Sequence, residues 1–361
     1  MSTQRSFCST REAGGKSVSN DFDVIIIGGG PAGSVAALQC LQQDIRTAVL
    51  ERARFPRERP GETLHPAVEP LLKKLGVADL LLSANFIRHE GNWVKWQNDL
   101  KFVPFGHDAS GPWRGFQAVR AEFDEQLLRR ACEAGAQVFQ PCPASKLLIE
   151  RGRVCGVITP RGAVRSRWVI DASGSQHWLA KQLGLKIERY SPPLVAWYGY
   201  AEGTHPPRDD APAIVGDATG WTWTAGVRPH LYQWTRLSWE KERLDKNWIP
   251  AEFKSLTPCS PTRGADVTWR TVERAAGSGY FIVGDASAVL DPASSHGVLK
   301  GIMSGMLAAH TISVINGCPQ QEWESVTGYC NWVRDWFMRD VSNLRKLYSE
   351  LASPPEWLGG G

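Results

Sequence analysis

The stretch Asp23-Val24-Ile25-Ile26-Ile27-Gly28-Gly29-Gly30-Pro31-Ala32-Gly33 decides the fold. Val24 to Ile27 is wholly apolar and β-branched, the composition of a strand buried on both faces. Gly28, Gly30 and Gly33 then let the chain turn tightly, approach a pyrophosphate and pack the next helix against the sheet. Pro31 and Ala32 lead into the small-residue helix Ser34 to Leu41, whose first N–H groups are free for phosphate. A second apolar run, Thr47 to Leu50, ends at Glu51, placed to accept hydrogen bonds from a ribose, with Arg52 beside it. An acidic residue there disfavours a 2′-phosphate.

Working outward, Phe123, Leu127, Leu128 and Ala131 share one helical face, and Gly135 stands where that helix stops before a strand at Gln137 to Phe139. Lys146 to Pro160 reads as a hairpin turning at Arg151-Gly152, and Trp168 to Ile170 as a buried strand. From about Phe86 to Phe116, and again from Val195 to Arg274, aromatic and polar residues alternate between Gly and Pro breaks. These stretches predict antiparallel strands that together form a second layer. After the strand Tyr280 to Val283 the chain reads as helical, with Trp332, Trp336, Leu344, Leu347, Tyr348 and Leu351 near helical spacing. The expected fold is α/β: a Rossmann-like, doubly wound parallel sheet with an inserted antiparallel-sheet substrate domain and C-terminal helices. Its expected segments are a disordered tail over 1–20, a discontinuous nucleotide domain over 21–85, 117–190 and 275–320, a substrate sheet over 86–116 and 191–274, and a helical region over 321–361.

Composition excludes more than it names. The chain has 361 residues, 42% hydrophobic and 22% charged, with a net charge of only +4 and no basic stripe, so no nucleic-acid partner is expected. Its eight cysteines are scattered, without the close pairs of a zinc or dithiol centre, and no metal site is expected. No secretory stretch and no uninterrupted apolar run for a bilayer is visible, so the expectation is a soluble cytoplasmic protein with no membrane partner. Sixteen tryptophans stand out. Most belong to packing, and a cluster could wall a flat aromatic ligand.

Two further segments choose among dinucleotides by resemblance. Asp171-Ala172-Ser173-Gly174 after one strand, and Gly284-Asp285 after another, resemble the second and third FAD signatures of the flavin monooxygenase superfamily. The resemblance implies FAD as cofactor, with Asp285 on the ribityl chain. It also implies that Pro292, Ser295, Gly297 and Val298 belong to a loop against the flavin ring, opening a helix whose N-terminus stabilises reduced flavin. Arg120 heads a helix that in this superfamily carries an arginine near FAD, and Asp171 and Gly174 complete the expected set. Val215-Gly216-Asp217-Ala218 repeats the letters of Val283 to Ala286 but lacks the following Asp-Pro loop and helix, so Asp217 reads as a turn residue.

On the substrate side, Gly61-Glu62-Thr63-Leu64-His65-Pro66 and Trp221-Thr222-Trp223 resemble stretches of the tryptophan-halogenase-like flavoproteins. Where the halogenase signature continues with Ile-Pro this chain has Thr224-Ala225, and Lys95 is out of register with the halogenase lysine. Within this superfamily the chain is most similar to the FAD flavoproteins that mature cysteine tryptophylquinone enzymes. That resemblance implies a monooxygenase using O2 at reduced flavin to hydroxylate an aromatic substrate, such as a tryptophan presented by a partner protein. His296, Glu62 and His65 are the candidates for catalytic proton handling. Electrons would come from NAD(P)H or a separate flavin reductase. The alternatives are a flavin-dependent halogenase, a reductase of the geranylgeranyl reductase type, and a non-enzymatic assembly protein.

Overall fold

A strand as apolar as Phe22–Ile27 needs neighbours on both edges and cover on both faces, and it has them. The computed structural model describes residues 22–80, 86–97, 99–204, 210–240 and 243–359; the segment 1–20, expected as a tail, lies outside the described residues. Phe22–Ile27 pairs in parallel with Thr47–Leu50 on one side and with the far half of Gly162–Asp171 on the other. Gln137–Phe139 and Tyr280–Ile282 extend the parallel sheet at its two sides. The near half of Gly162–Asp171 continues into an antiparallel meander with Arg153–Thr159 and Lys146–Glu150. The hairpin turns at Arg151 and Gly152, both at positive φ.

Among the described residues the α-helices given bounds are α1 (Pro31–Leu41), α2 (Val68–Lys74), α3 (Arg120–Glu133), α4 (Trp178–Leu183), α5 (Gly297–Gly317) and α6 (Glu322–Ser349). Helix α3 buries Phe123, Leu127, Leu128 and Ala131, the face its spacing predicts. Helix α5 corrects an expectation. It is long and apolar enough to cross a membrane, with a mean hydropathy of 1.5, although no uninterrupted apolar run marks it in the sequence. Its most apolar window is 67% buried inside the protein, because α5 runs between α1 and α6 as a core helix.

The second layer is a sheet in the order Thr257–Pro258, Val195–Glu202, Leu231–Ser238, Gly220–Arg228, Ala213–Asp217, Gly91–Lys95 and Lys101–Pro104. It is mixed rather than wholly antiparallel, since Ala213–Asp217 pairs with Gly91–Lys95 in parallel. The two strands come from separate excursions of the chain, joined through the nucleotide-binding layer, and such a long crossover permits parallel pairing where a hairpin does not. Asp217 closes a turn, accepting the N–H and hydroxyl of Thr219 and pairing with Arg236 at 2.6 Å.

Helix α6 fastens the layers together. Its buried residues Val326, Tyr329 and Val333 join the core of the parallel sheet, whereas Phe337, Val341, Leu344 and Tyr348 join a second core with Trp221, Leu237 and Trp269. Of the predicted stripe, Leu344, Tyr348 and Leu351 are buried, whereas Trp332, Trp336 and Leu347 are only half-buried. Trp332 and Trp336 lie beside the buried, fully apolar line of Val333 and Phe337.

Candidate active site

The glycine turn is closed so tightly that side chains are excluded. A β-carbon on Gly33 would lie 1.9 Å from the carbonyl oxygen of Gly28, and one on Gly28, at φ +104°, would lie 2.4 Å from that of Ala172. These approaches bring the stretch after Asp171 against the glycine turn. Gly284 also approaches closely, a β-carbon there lying 3.1 Å from that of Ala32. Three segments separated by more than a hundred residues therefore converge on the start of α1. That helix begins with Gly30 and Pro31, has no side-chain cap and carries no acidic residue in its first turn. Its leading N–H groups and partial positive charge are available to a phosphate.

Glu51 is buried, and its two oxygens accept the N–H groups of Gly29 and Ala53 at 2.8 Å each. A carboxylate has further lone pairs, so this leaves acceptor capacity for a ribose while fixing the turn. Arg52 is exposed. A residue the sequence reading missed lies over the turn: Arg57, with Nη2 3.1 Å from where a β-carbon on Gly30 would sit. Its Nη1 is buried without a hydrogen bond and lies 3.5 Å from Asp124. Arg120 holds the same Asp124 through two nitrogens, at 2.8 and 3.1 Å, and donates to the Pro60 carbonyl. A guanidinium with Nη2 over a glycine turn fits a pyrophosphate. No motif flags Arg57, because it reaches the turn through a loop.

Asp171 sits at the end of its strand beneath the glycine turn. It is fully buried, and its oxygens accept the N–H groups of Ser173 and Leu179 at 2.9 and 2.8 Å. It anchors the loop leading to α4, while Gly174, at φ +79°, stays half-buried in that loop. Asp285 is exposed in the groove, 4.0 Å from the buried Lys300 amine. Lys300 donates to the Ala288 carbonyl, and burial lowers its pKa.

The loop before α5 is held by a buried chain of hydrogen bonds. Asp291 accepts from Trp269 Nε1 at 2.7 Å, from the Tyr348 hydroxyl at 2.8 Å and from the Ala293 N–H at 3.0 Å. Tyr348 in turn accepts from Trp221 Nε1 at 2.9 Å, so the first tryptophan of Trp221-Thr222-Trp223 is a strut from the second sheet to this loop. Burial pushes Asp291 up to about 6, partly offset by its donors. Pro292, Ser295 and Gly297 are exposed and Val298 half-buried, leaving the start of α5 open, uncapped and free of acidic residues.

Two of the three predicted proton handlers, His65 and His296, meet at this helix start, whereas Glu62 reaches toward the second sheet. The His296 and His65 rings are 5.6 Å apart, and His296 Nδ1 is 3.3 Å from the buried Asp340 of α6. His65 accepts the Ala67 N–H on Nδ1, so its neutral form carries the proton on Nε2. Burial, with His296 nearby, lowers the His65 pKa and favours that form. Glu62 is buried, accepts the Gly61 N–H, and bonds to the Tyr200 hydroxyl across the gap to the second sheet. Burial raises the pKa of Glu62 and also that of Tyr200. Sequence reasoning missed Tyr200, His89 and Asp340. His89 is buried, with its ring 5.4 Å from that of Phe105, which in turn lies 5.9 Å from the His65 ring.

Residues 21–321 match the family model of the FAD binding domain. The chain belongs to the FAD-binding domain family. Among its relatives is a tryptophan 2-halogenase of Chondromyces crocatus, 28% identical over 81% of this chain; the chain spans only 62% of that relative's length. It is also 26% identical to a brominase of 1H-pyrrole-2-carbonyl peptidyl-carrier protein from Pseudoalteromonas luteoviolacea, over 86% of this chain and 82% of the relative. In fold it matches the myxobacterial chondrochloren halogenase, an FAD-dependent halogenase, with a TM-score of 0.83 and 23% identity, over 94% of this chain and 85% of the other. The flavin-dependent halogenases are thus its relatives, and the α/β fold expected from sequence is the one present. The halogenase-like resemblance stands at that level.

Proposed function

We propose that the protein is an FAD-dependent enzyme that oxidises an electron-rich aromatic ring with O2, and that it passes the oxidising equivalent to halide, as a flavin-dependent halogenase. The observation that carries the FAD-dependent reading is the convergence of the glycine turn, the stretch after Asp171 and Gly284 on the uncapped start of α1, which also packs against Gly301 and Gly305 of α5. The relatives support halide as the acceptor over hydroxylation as the main reading.

Bound FAD, once reduced, would supply the electrons for O2 activation. The turn at Gly28, Gly30, Pro31, Ala32 and Gly33, with Arg57, would hold its pyrophosphate. Glu51 and Arg52 would face the adenosine ribose and the entrance. Asp285, with Gly284 beneath it, would take the ribityl hydroxyls, and Arg120 would lie beneath the same cleft. Pro292, Ser295, Gly297 and Val298 would set the α5 N-terminus against the ring, where its partial positive charge favours an anion. Asp171 and Gly174 shape the groove from behind. On the substrate side, His65 holds a proton at Nε2, His296 is oriented by Asp340, and Glu62 keeps Tyr200 in place while burial excludes water.

A second reading, hydroxylation of an aromatic such as a partner protein's tryptophan, is favoured by one feature. Glu62 bonds to Tyr200 of the second sheet and His65 neighbours His296, while Lys95 is exposed. The carrier-protein substrate of one relative supports a ring delivered by a protein. The test supplies chemically reduced FAD, O2 and bromide with indole, phenol and pyrrole donors, and reads products by mass spectrometry. A bromine isotope pattern is expected. Oxygen insertion alone would transfer the assignment to hydroxylation, and neither product from flavin-loaded protein would reject both.

A further inference from the structure

Helix α6 presents two side chains to His296, one helical turn apart. The Asp340 carboxylate lies 3.3 Å from its Nδ1, and the indole of Trp336 meets the imidazole edge-on with ring centres 6.3 Å apart. His65 stands on the same imidazole, 5.6 Å away between ring centres. Trp336 is half-buried, and Trp332 packs edge-on against it at 5.0 Å. An indole is an electron-rich ring, so this side chain belongs to the chemical class that the proposed activity oxidises. Other tryptophans differ in access: Trp168, Trp221, Trp234 and Trp269 are fully enclosed, whereas Trp323, also on α6, is 79% exposed. Thirteen residues of helix separate Trp323 from Trp336, a distance of about 20 Å.

We propose that Trp336 is a self-modification site: when no donor ring is supplied, the enzyme halogenates its own Trp336 indole. The inference rests on the halogenase reading of the site beside His296. In the step, hypobromous acid, the oxidised halide that the proposed activity forms from bromide, accepts an electron pair from the indole. A C–Br bond forms as the HO–Br bond breaks, so the ring is oxidised and the bromine reduced. The ring C–H proton passes to His296, whose charge Asp340 balances, and from there to the departing hydroxide, giving water. Where the oxidant is released decides which tryptophan it meets. One that diffuses in bulk attacks in order of exposure and takes Trp323 first, whereas one released beside His296 acts on Trp336 at a high effective concentration.

The experiment gives the flavin-loaded full chain chemically reduced FAD, O2 and bromide, with and without indole, and maps the label on its peptides by mass spectrometry. Without indole, a bromine isotope pair is expected on Trp336 at about tenfold or more the level on Trp323. Excess indole should be brominated itself and suppress that label. The same protein treated with hypobromous acid in bulk should show the reverse order, Trp323 before Trp336. Trp336→Phe keeps an aromatic ring against Trp332 and should carry no bromine at that position; if it fails to fold, the peptide map of the native chain decides by itself. Brominated indole together with a donor-free protein that is unlabelled at Trp336, or labelled there no more than at Trp323, would overturn the inference. The halogenase reading would survive that result, with Trp336 left as a packing residue of α6. Bromine on neither indole nor protein would remove the halogenase reading and this inference with it.

Discussion

The two sides of the groove are built on different principles. The cofactor side is made of backbone: glycines at 28, 30 and 33, two helix starts without caps, and approaches too close for a β-carbon. The opposite side is made of side chains that meet from remote strands, such as Glu62 with Tyr200 and Trp221 with Tyr348 and Asp291. A backbone site tolerates change in everything except the presence of side-chain atoms at a few positions. A side-chain site depends on each partner and on how its burial is balanced.

The first way to break that comparison is Gly33→Val. Its side chain would meet the Gly28 carbonyl, at a cost of about 3 kcal/mol or more, and FAD retention after gel filtration should be lost. If the variant folds and binds FAD normally, the turn is not the cofactor cradle. The second concerns Asp291. Its pKa is raised from 3.8 to about 6, roughly two pH units or about 3 kcal/mol. Because the folded-state value lies above the unfolded one, the penalty is absent below about pH 4 and fully present above about pH 6. The stability of Asp291→Asn relative to the native chain, by urea denaturation, should therefore improve as pH rises through that window. A pH-independent difference would show that Asp291 ionises freely in the fold.

Tyr348→Phe has a smaller effect, about 1–3 kcal/mol, since it strips a donor from Asp291 and an acceptor from Trp221. A double-mutant cycle with Trp221→Phe should show coupling, and strict additivity would dissolve the proposed chain. Lys95→Ala marks the lower end. Lys95 is exposed, so its loss should change stability by less than about 0.5 kcal/mol and leave turnover alone. A collapse of turnover would place this lysine in the reaction and strengthen the halogenase assignment.

The same contrast explains what the sequence disclosed. Glycine spacing, an apolar strand before it and a terminal acid record a backbone site in consecutive letters, so α1, its flanking strands and the convergence of segments 28–33, 171–174 and 284–285 were legible. The face of α3 was legible because one stripe meets one core. The stripe of α6 was legible in its second half, at Leu344 and Tyr348, and missed in its first, where Tyr329 and Val333 turn to a different core and no single period describes both. Arg57, Tyr200, His89 and Asp340 acquire meaning only through contacts made over long sequence separations. Asp171 binds backbone N–H groups of Ser173 and Leu179, a task that its position after a strand does not announce. The parallel pairing of Ala213–Asp217 was hidden because alternation reports which face a residue occupies and carries no strand direction.

The most direct measurement is the visible spectrum of the purified protein titrated with FAD, followed by anaerobic reduction and mixing with air in the presence of an electron-rich aromatic. The account predicts a perturbed flavin spectrum at saturation and oxygen consumption coupled to modification of the ring. A flavin spectrum identical to free FAD at every protein concentration would contradict it.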